Sequence, residues 1–431
     1  MKYHIITYGC QMNKSDSEKI AGILECLEYQ KTNKIDLADL VIVNMCSVRQ
    51  SAVNRVYSFK KLFETIRIKN PNLKTALTGC FLPTDEKKFS QIFNFIFKIK
   101  DLSNLPNILI QEKDKRKQED LKDYLSLKPK PDSLTSAYLP IMTGCNNFCS
   151  YCVVPFTRGR EKSRPANDII QEVKNLIKNG FKEIILLGQN VNSYQDEKIN
   201  FPKLLQMIND IPGNFWIRFI TSHPKDLSDE LIKTMANCQK VTEYLHLPFQ
   251  SGDNEILKKM NRGYTRQNYL KLIKKIKKYF SFKSQILEKR EIALSTDIIV
   301  GFPGETKRQF KKTVKIMKKV KFDMAYLAKY SPRSGTTASL LKDDVPNCEK
   351  KRREQKLNKI LTRTALKRNK KYLRKNIEIL IERKEQNNIF GKTRTNKGVI
   401  IKNAPESLDL GQFINVKIIK VSPWNLQGIY Q

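Results

Sequence analysis

The sequence predicts an α/β protein made of an N-terminal parallel α/β domain, a partial barrel of six βα units and a small all-β module. Short runs of Val, Ile, Leu and Thr alternate with helix-compatible segments over most of the chain, as in parallel sheets. After about residue 373 the apolar pattern changes to period two, which indicates short strands. A chain of 431 residues also exceeds what one core usually supports.

The first predicted domain covers residues 1–115 and contains three strand–helix units. Its strands are predicted in "KYHIITYGC", "LADLVIVNMC" and "LKTALTGC", and the helix-compatible text "KSDSEKIAGILECLEY" follows the first of them. The segment 116–136 is charged and then punctuated by proline, which is typical of a connector between domains. We therefore expect a small parallel sheet that a linker joins to the rest of the chain.

The second predicted domain, residues 137–372, contains six strand candidates separated by helical segments. The strands are predicted in "AYLPIMTGC", "KEIILLGQN", "FWIRFITSHP", "EYLHLPFQSG", "ALSTDIIVGFPGE" and "DMAYLAKYSPRSG". One intervening helix places Ile169, Val173, Leu176 and Ile177 on one face, and Gly180 is its stop signal. Six consecutive βα units imply a parallel sheet curled into a partial or full barrel, with an active site at the C-terminal ends of its strands.

The last part of the chain combines basic and β-forming segments. A long basic helix is predicted at about residues 349–376, and the all-β module is predicted at residues 373–431. The helix, together with Phe390, Arg394 and Trp424 of the module, offers candidate surfaces for the backbone and bases of RNA. For Trp424 the alternative is a place in the core of the small barrel.

The composition limits the classes of partner and indicates the cellular compartment. The net charge of +37 at pH 7 favours polyanionic partners such as RNA, DNA or acidic lipid. A second interpretation is that codon bias toward AT-rich DNA has raised the lysine content everywhere, and charge alone does not decide between them. No uncharged apolar run of 18 residues and no signal-peptide pattern is present, so we expect a cytoplasmic protein. There, nine cysteines favour metal or redox chemistry over disulfides.

Cys145, Cys149 and Cys152 form the pattern C-x-x-x-C-x-x-C directly after a predicted strand. A [4Fe–4S] cluster that is bound by four cysteines is coordinatively closed, whereas three cysteines leave one iron open to a small molecule. Zinc is an alternative, but it would want a fourth Cys or His, and none of the three histidines is close in sequence. Burial in a core is the other alternative, although three cysteines within eight residues are unusual there.

Cys10, Cys46 and Cys80 each close one of the first three predicted strands. The C-terminal ends of neighbouring parallel strands lie along one edge, so three thiols scattered over seventy residues can converge there. We interpret them as a second set of three metal ligands. Free cysteines are also common in cores, and this is the alternative for each of them taken singly.

These residues resemble the radical S-adenosylmethionine (SAM) methylthiotransferase family over nearly the whole chain. The resemblance lies in the ordered motifs "YGCQMNKSDSE", "NMCSVR", "GCNNFCSYCVVPFTRGREKSRP", "LLGQNVNSY", "HLPFQSGDN", "MNRGYT" and "DIIVGFPGET". It implies an N-terminal methylthiotransferase domain, a radical SAM (βα)6 partial barrel and a C-terminal TRAM module of the sort associated with RNA binding. The wording "QMN", "CSVR" and "CVVPFTRGRE" is most similar to the branch that modifies dimethylallyladenosine in tRNA.

The resemblance implies an enzyme that adds a methylthio group to carbon-2 of N(6)-(dimethylallyl)adenosine at position 37, next to the tRNA anticodon. Two [4Fe–4S] clusters and two SAM molecules would take part. The Cys145, Cys149 and Cys152 cluster would cleave SAM to a 5′-deoxyadenosyl radical, and the other cluster would present the sulfur. Branches that act on threonylcarbamoyl-adenosine of tRNA or on a ribosomal protein aspartate are alternatives, as is a two-cluster electron carrier that binds RNA.

The resemblance also assigns contacts to SAM in the loops after the barrel strands. Gly188 and Gln189 would lie near the methionine amine, Ser222 near the ribose or methionine, and Ile299, Val300 and Gly301 along the adenine. The glycines can instead permit tight turns, and Ser222 can cap the next segment. Arg158 and Arg160 can bind carboxylate or phosphate, or neutralise a cluster. Expected partners are the tRNA anticodon loop, an electron donor such as flavodoxin or ferredoxin, and the iron–sulfur assembly machinery, for a monomeric protein.

Overall fold

The computed structural model describes residues 1–47, 50–109, 123–281 and 291–430. Within them the chain forms the three parts that the sequence predicts: a parallel sheet, a six-stranded partial barrel and a small closed barrel. Of the predicted connector 116–136, residues 116–122 lie outside the described residues, and Ser136 already begins a strand.

The N-terminal domain is a parallel sheet covered by helices on both faces. Its strands are β1 (Lys2–Tyr8), β2 (Gln30–Lys31), β3 (Leu40–Cys46), β4 (Lys74–Cys80) and β5 (Phe95–Ile96), and its helices are α1 (Gln11–Cys26), α2 (Gln50–Tyr57), α3 (Phe59–Lys69), α4 (Pro83–Phe89) and α5 (Leu105–Leu109). The strand order is β2-β1-β3-β4-β5. The long central strands β1, β3 and β4 are the three predicted ones, and β3 is apolar almost throughout because both of its faces are covered.

The middle part of the chain contains the partial barrel. Its strands are β6 (Ser136–Pro140), β7 (Met142–Thr143), β8 (Lys162–Ser163), β9 (Glu183–Leu187), β10 (Gln195–Asp196), β11 (Ile199–Asn200), β12 (Trp216–Ile220), β13 (Tyr244–His246), β14 (Ala293–Val300) and β15 (Met324–Lys329). Parallel sheets β12-β9-β6 and β13-β14-β15 are joined by a bridge between Ile217 and Val241. The predicted curled sheet of six parallel strands is therefore confirmed.

Eight helices connect these strands and cover the barrel. They are α6 (Val154–Arg158), α7 (Ala166–Lys178), α8 (Phe201–Asn209), α9 (Asp229–Asn237), α10 (Asn254–Lys259), α11 (Arg266–Ser281), α12 (Lys307–Val320) and α13 (Asn347–Asn369). The predicted apolar face of α7 packs inward, with Ile169 and Val173 fully buried. Helices α7 to α12 therefore follow the amphipathic pattern that the sequence predicts for the outer layer of a barrel.

The basic helix is shorter than the sequence predicts. It begins after Pro346 and ends at Asn369, and Asn376, the predicted helix end, is already the first residue of the next strand. The helix is also less exposed than its charge suggests. Leu357, Leu361 and Ala365 are buried, and the helix packs along β15 and α12. Because this inner face lies on the barrel, only the outer face of the helix can meet a polyanion.

The C-terminal module is a closed antiparallel barrel apart from one parallel pair. Its strands are β16 (Asn376–Glu385), β17 (Asn388–Thr393), β18 (Gly398–Ile401), β19 (Phe413–Val421) and β20 (Asn425–Tyr430), in the order β16-β17-β18-β20-β19. Strands β18 and β20 form the parallel pair. The change to a period of two is confirmed, since alternate residues of β17 and β19 point into the small core.

Buried ion pairs fix the C-terminal barrel to the partial barrel. Glu183 of β9 is fully buried and accepts a hydrogen bond from Nε of Arg218 at 2.9 Å. Lys392 of β17 reaches the same carboxylate from the other barrel. The ring of Trp216 lies 5.0 Å from the ring of Phe413 beside this contact. Charges that leave water cost several kcal/mol each unless they are paired, so these contacts determine how the barrels dock.

Among the described residues, no helix has both the length and the apolar character that crossing a bilayer requires.

The Glu183 contact makes the stability of the interface depend on pH. Burial alone would raise the pKa of Glu183, but Lys392 and Arg218 outweigh burial and lower it from 4.5 to about 2. The carboxylate therefore contributes stability that is complete above about pH 4.5 and is lost as the pH falls toward 2. Urea unfolding followed by tryptophan fluorescence should show this loss in the wild type.

Glu183→Gln should lack that part of the pH dependence. At pH 7 the substitution should cost about 3 kcal/mol of unfolding free energy, because it leaves Arg218 buried without a carboxylate, whereas Lys392 keeps Glu382. Glu385→Gln is the matched control, since its partner Arg383 is exposed and such pairs contribute less than about 1 kcal/mol. Equal losses of unfolding free energy in the two variants would contradict the role of Glu183 as the buried carboxylate of the interface.

Candidate active site

Two cysteines of the N-terminal set lie side by side at the C-terminal edge of the first sheet. Cys46 and Cys80 are the last residues of β3 and β4 and are register partners. Gly79 permits this approach, because its φ is +116° and a Cβ there would lie 2.1 Å from the carbonyl oxygen of Met45. The hydroxyl and amide of Ser47 both donate to the carbonyl of Cys80, at 2.8 Å. The two strand ends are thus bonded together.

The third cysteine of this set, Cys10, stands at the start of α1 just beyond β1. Its backbone amide donates to Oδ1 of Asn13 at 3.2 Å, and its thiol donates to the same oxygen at 3.4 Å. Nδ2 of Asn13 in turn donates to Oδ1 of Asn44 on β3, at 3.0 Å. The buried asparagine pair therefore connects the Cys10 turn to the strand that carries Cys46.

The second set lies in a loop that follows the first barrel strand, as the sequence predicts. Cys145, Cys149 and Cys152 are all half-buried. The loop is closed by two backbone hydrogen bonds, from Cys145 to the carbonyl of Gly159 at 3.2 Å and from Cys152 to the carbonyl of Cys149 at 2.9 Å. These bonds fix the backbone that carries the three cysteines.

Neighbouring segments hold this loop from outside. The Ser150 hydroxyl donates to the carbonyl of Lys259 at 2.7 Å, and Nδ2 of Asn261 donates to the carbonyl of Phe148 at 2.9 Å. Phe148 adopts a φ of +45°, a conformation that side chains seldom take without support. The α10 end and its following turn supply that support.

A buried arginine contacts one thiol of the loop. NH1 of Arg262 lies 3.3 Å from Sγ of Cys149 and 3.4 Å from the hydroxyl of Tyr151, and NH2 donates to the carbonyl of Pro248 at 3.1 Å. Burial and the neighbouring Cys149 raise the pKa of Cys152 to about 12. The guanidinium therefore places a positive charge where bound thiolates would be negative.

A second buried arginine, in the segment that follows Cys152, contacts one thiol of the N-terminal set. Arg158, at the end of α6, donates from NH2 to Asp16 on α1 at 2.5 Å and from Nε to Sγ of Cys80 at 3.1 Å. The Tyr124 hydroxyl donates to the same carboxylate. A hydrogen bond from Cys46 lowers the pKa of Cys80 to about 6, with a further contribution from Arg158 that acts against burial. Of the roles that the sequence leaves open for Arg158, the structure shows carboxylate binding, and the carboxylate belongs to this chain.

The spacing of the thiols bears on what they can hold. Among the described residues, no three His, Cys, Asp or Glu side chains are drawn together tightly enough for a single metal ion. A four-iron cluster does not demand that closeness, because each thiolate binds a different iron. The donor set, which is thiols alone at both sites, is the one that iron–sulfur clusters take.

Buried polar atoms without partners lie just beyond the C-terminal ends of three barrel strands, and we call this group of residues the polar cleft. Buried oxygen and nitrogen atoms without a hydrogen-bond partner in the described part of the chain include those of Gln189, Asn190, Ser222, His223 and Gln250. All five residues lie within four positions after the ends of β9, β12 or β13, where an α/β barrel binds its ligands. Buried polar groups without partners are costly, so this cluster fits a polar ligand such as SAM.

The other predicted SAM contacts have clear positions in the fold. At Gly188 a Cβ would lie 2.5 Å from Cγ of Met142, so packing excludes a side chain there. Gly301 has a φ of +69°, and Lys350 fills the space beside it. Ile299 is half-buried and packs against the apolar cluster that contains Phe302, whereas the side chain of Val300 is fully buried in the barrel core. At Val300 the backbone alone can reach a ligand.

The predicted RNA surfaces divide into exposed and engaged residues. Trp424 is 48% exposed, so its alternative placement in the small core is wrong. It lines a cavity of about 150 Å³ between the two barrels, together with Tyr244, Tyr326 and Asn396. The prediction that Arg394 offers a surface to RNA is wrong, because this residue is engaged within the chain. Its guanidinium donates to Glu243 at 2.9 Å and to the carbonyl of Val241 at 2.8 Å, so it serves the interface between barrels.

Sequence reasoning did not single out several residues of the site. Asp16 and Tyr124 hold Arg158, Arg262 contacts Cys149, and His223 and Gln250 line the polar cleft. Three of them stand inside quoted motifs: Asp16 in "YGCQMNKSDSE", Gln250 in "HLPFQSGDN" and Arg262 in "MNRGYT". For Asp16 the available signal was a charged residue within a cysteine-bearing motif, and for Gln250 and Arg262 it was a polar or charged residue within a family motif.

Comparison with known families divides the chain as the fold does. Residues 2–98 match a family described as uncharacterized protein family UPF0004, residues 139–317 match the radical SAM superfamily, and residues 370–430 match the TRAM domain.

Curated relatives match along nearly the whole chain. A tRNA-2-methylthio-N(6)-dimethylallyladenosine synthase from Thermoanaerobacter sp. (strain X514) is 43% identical, over 99% of this chain and 92% of its own length. Proteins of the same name from Clostridium botulinum (strain Langeland) and Caldicellulosiruptor saccharolyticus are 42% and 44% identical, over 99% of this chain and 96% and 92% of their own lengths.

Solved structures share the fold at low identity. The radical SAM methyltransferase TsrM from Kitasatospora setae, with cobalamin and a [4Fe-4S] cluster bound, superposes with a TM-score of 0.55 at 13% identity, over 78% of this chain and 77% of its own. The cobalamin-dependent SAM radical enzyme OxsB gives 0.54 at 12% identity, over 83% and 56%.

The polar cleft yields a prediction for Ser222. Because its buried hydroxyl has no partner among the described residues, Ser222→Ala should leave the melting temperature of the apo chain unchanged or slightly higher. Affinity for SAM should fall by about five- to tenfold, the effect of one lost hydrogen bond. Equilibrium dialysis with labelled SAM measures it.

Thr242→Val is the control, since Thr242 also buries a hydroxyl without a partner in the described chain but lies before β13, away from the cleft. A similar loss of SAM affinity in this variant would contradict the placement of SAM at Ser222.

Proposed function

The chain belongs to the radical SAM methylthiotransferase family, and from this premise we propose that it modifies tRNA. The proposed reaction is methylthiolation of carbon-2 of N(6)-(dimethylallyl)adenosine at position 37, next to the anticodon. It consumes two SAM molecules and uses two [4Fe–4S] clusters. One structural observation supports this above others: Arg158, six residues after Cys152, donates to Sγ of Cys80, so the segment that follows one cysteine set packs against the other set.

Each cysteine set is proposed to hold one cluster. Cys145, Cys149 and Cys152 would bind the cluster that binds SAM, and Cys10, Cys46 and Cys80 would bind the cluster that carries sulfur. When bound, the first supplies an electron for SAM cleavage and the second supplies the sulfur atom. Cys145, Cys149 and Cys152 are half-buried, whereas in the other set Cys10 is exposed, Cys46 is half-buried and Cys80 is buried.

The residues above the barrel are proposed to orient SAM. Ser222, His223 and Gln250 offer polar atoms that face no other group of the described chain. The pKa of His223 is lowered to about 2 by burial and by Arg262 and Lys225, so its ring is neutral at pH 7. Since Nδ1 accepts a hydrogen bond from the backbone amide of Lys225 at 3.2 Å, the neutral ring carries its proton on Nε2 and can donate it to a carboxylate or hydroxyl oxygen of SAM without adding charge beside a sulfonium. Gln189, Gly188, Ile299, Val300 and Gly301 complete the proposed contacts.

The C-terminal module is proposed to bind the tRNA. An exposed indole such as that of Trp424 can stack on a splayed base, and exposed lysines of α13 such as Lys356 and Lys359 can meet the phosphate backbone. Phe390 is half-buried beneath the guanidinium of Arg383, 4.2 Å from its ring centre. Rigid docking of this barrel would fix the distance between bound RNA and the barrel lumen.

Further assignments complete the proposal. The proposed domain boundaries are residues 1–115, 137–372 and 373–431, with the linker at 116–136. The end of α13 at Asn369 and the start of β16 at Asn376 support the last boundary, and β6 begins at Ser136, one residue before the proposed start of the second domain. The partners are an electron donor such as flavodoxin or ferredoxin and the iron–sulfur assembly machinery. The protein would act as a monomer in the cytoplasm.

Single cysteine substitutions should separate the two proposed roles. Cys149→Ala should abolish reductive cleavage of SAM, because it removes a ligand of the SAM-binding cluster. Cys46→Ala should still form 5′-deoxyadenosine but insert no sulfur. Chromatography of the nucleoside products with dithionite as reductant measures both, and Cys26→Ala, on the exposed end of α1, is the control. Methylthio product from the Cys46 variant would refute the division of labour.

Nucleosides from cells that lack the protein test the substrate directly. Mass spectrometry should show loss of the methylthio group from the dimethylallyl-type adenosine, with the unmodified dimethylallyl nucleoside accumulating in its place. Loss from threonylcarbamoyl-adenosine instead would assign the chain to that branch. Unchanged nucleosides would contradict a tRNA substrate.

A further inference from the structure

Arg158 makes two kinds of contact that a purely structural arginine does not need. Its NH1 and NH2 atoms lie 3.4 and 2.5 Å from the two oxygens of Asp16, which neutralise its charge. Its Nε, on the other edge of the guanidinium, donates to Sγ of Cys80 at 3.1 Å. The side chains of Arg158 and Asp16 are almost fully buried, at 3% and 0% exposure. The planar fork thus fixes the position of a thiol relative to a carboxylate.

The same arginine is connected to the other cysteine set through the backbone. Arg158 lies six residues after Cys152, and the carbonyl of the next residue, Gly159, accepts a hydrogen bond from the amide of Cys145 at 3.2 Å. A short path of contacts therefore runs from Cys80 through Arg158 and Gly159 to Cys145. A reaction that needs groups from both sites requires such a fixed separation, since misplacement by about 1 Å can cost 100-fold in rate.

We propose that Arg158 is a positioning residue that holds Cys80 as a ligand and sets the reduction potential of the N-terminal cluster. This inference rests on the proposed function, which places a cluster at Cys10, Cys46 and Cys80. Hydrogen bonds to cluster sulfurs and nearby charge are the protein's means of changing such potentials. Arg158 supplies the hydrogen bond directly and supplies a charge that Asp16 balances.

The charges predict the direction of each change. A cation near a cluster stabilises the reduced, more negative form and raises the potential. Asp16→Asn removes the balancing anion and should shift the midpoint potential to more positive values. Arg158→Met leaves the anion and should shift it to more negative values. The double variant removes both charges, so only the lost hydrogen bond acts and a smaller negative shift should remain.

The experiment uses the full chain with Cys145→Ala, Cys149→Ala and Cys152→Ala, so that only the N-terminal cluster assembles. After anaerobic reconstitution with iron and sulfide, bound iron is counted, and an EPR-monitored redox titration gives the midpoint potential. Arg160→Gln is the matched control: Arg160 stands two residues away, is exposed, and lies 4.4 Å from the Phe148 ring. It should bind about four irons per chain at an unchanged potential.

The outcomes separate this inference from the function on which it rests. If the background chain with Arg158 intact binds no iron, the proposed cluster site is wrong. If it binds iron and the Arg158→Met and double variants keep its potential, or Arg160→Gln shifts equally, the role of Arg158 is wrong.

The test remains decisive even if Arg158→Met alone misfolds, because the double variant can be measured instead. The double variant leaves no lone buried charge and should fold, as circular dichroism would show. A folded double variant that loads iron at an unshifted potential overturns the proposal. Loss of iron from a folded double variant, with Arg160→Gln still loaded, supports the holding of Cys80.

Discussion

The buried pair between Arg158 and Asp16 is the contact on which the rest of the site depends. A guanidinium and a carboxylate removed from water cost several kcal/mol each, and their attraction offsets that cost only in good geometry. Asp16 comes from α1, Arg158 from the partial barrel and Tyr124 from the segment between them. The three parts must therefore dock in one arrangement for the charges to be paired, and that arrangement brings Arg158 onto Cys80.

The strand-end rule explains why much of the site could be predicted from sequence. Runs of apolar residues located β1, β3 and β4, and a parallel sheet places their C-terminal ends on one edge. Cys46 and Cys80 are accordingly register partners, and Cys10 lies in the turn beyond β1. The loop with Cys145 follows β6 in the same way. These features depend on local pattern and on topology, both of which a single sequence contains.

Contacts between domains could not be predicted, because they join residues far apart in sequence. Arg158 and Asp16 are separated by 142 positions, and Arg394 and Glu243 by 151. Nothing in the local pattern around Arg394 distinguishes an arginine that docks a barrel from one that faces RNA. Trp424 shows the reverse case, since its apolar character suggested a core position and the closed barrel leaves it outside. The positions of Arg394 and Trp424 are therefore determined by how the domains dock and not by local propensity.

The distribution of charge refines what the net charge of +37 means for RNA binding. Several of the cations are unavailable to a polyanion, because they are buried in pairs: Arg158 with Asp16, Arg218 and Lys392 with Glu183, Arg353 with Glu305, and Lys397 with Asp323. These cations stabilise docking between parts of the chain. Attraction to RNA must instead come from exposed lysines and arginines, whose interactions are screened over about 8 Å at physiological salt. The total charge therefore overstates the RNA-binding surface, and the outer face of α13 beside the C-terminal barrel is where exposed cations and an exposed indole occur together.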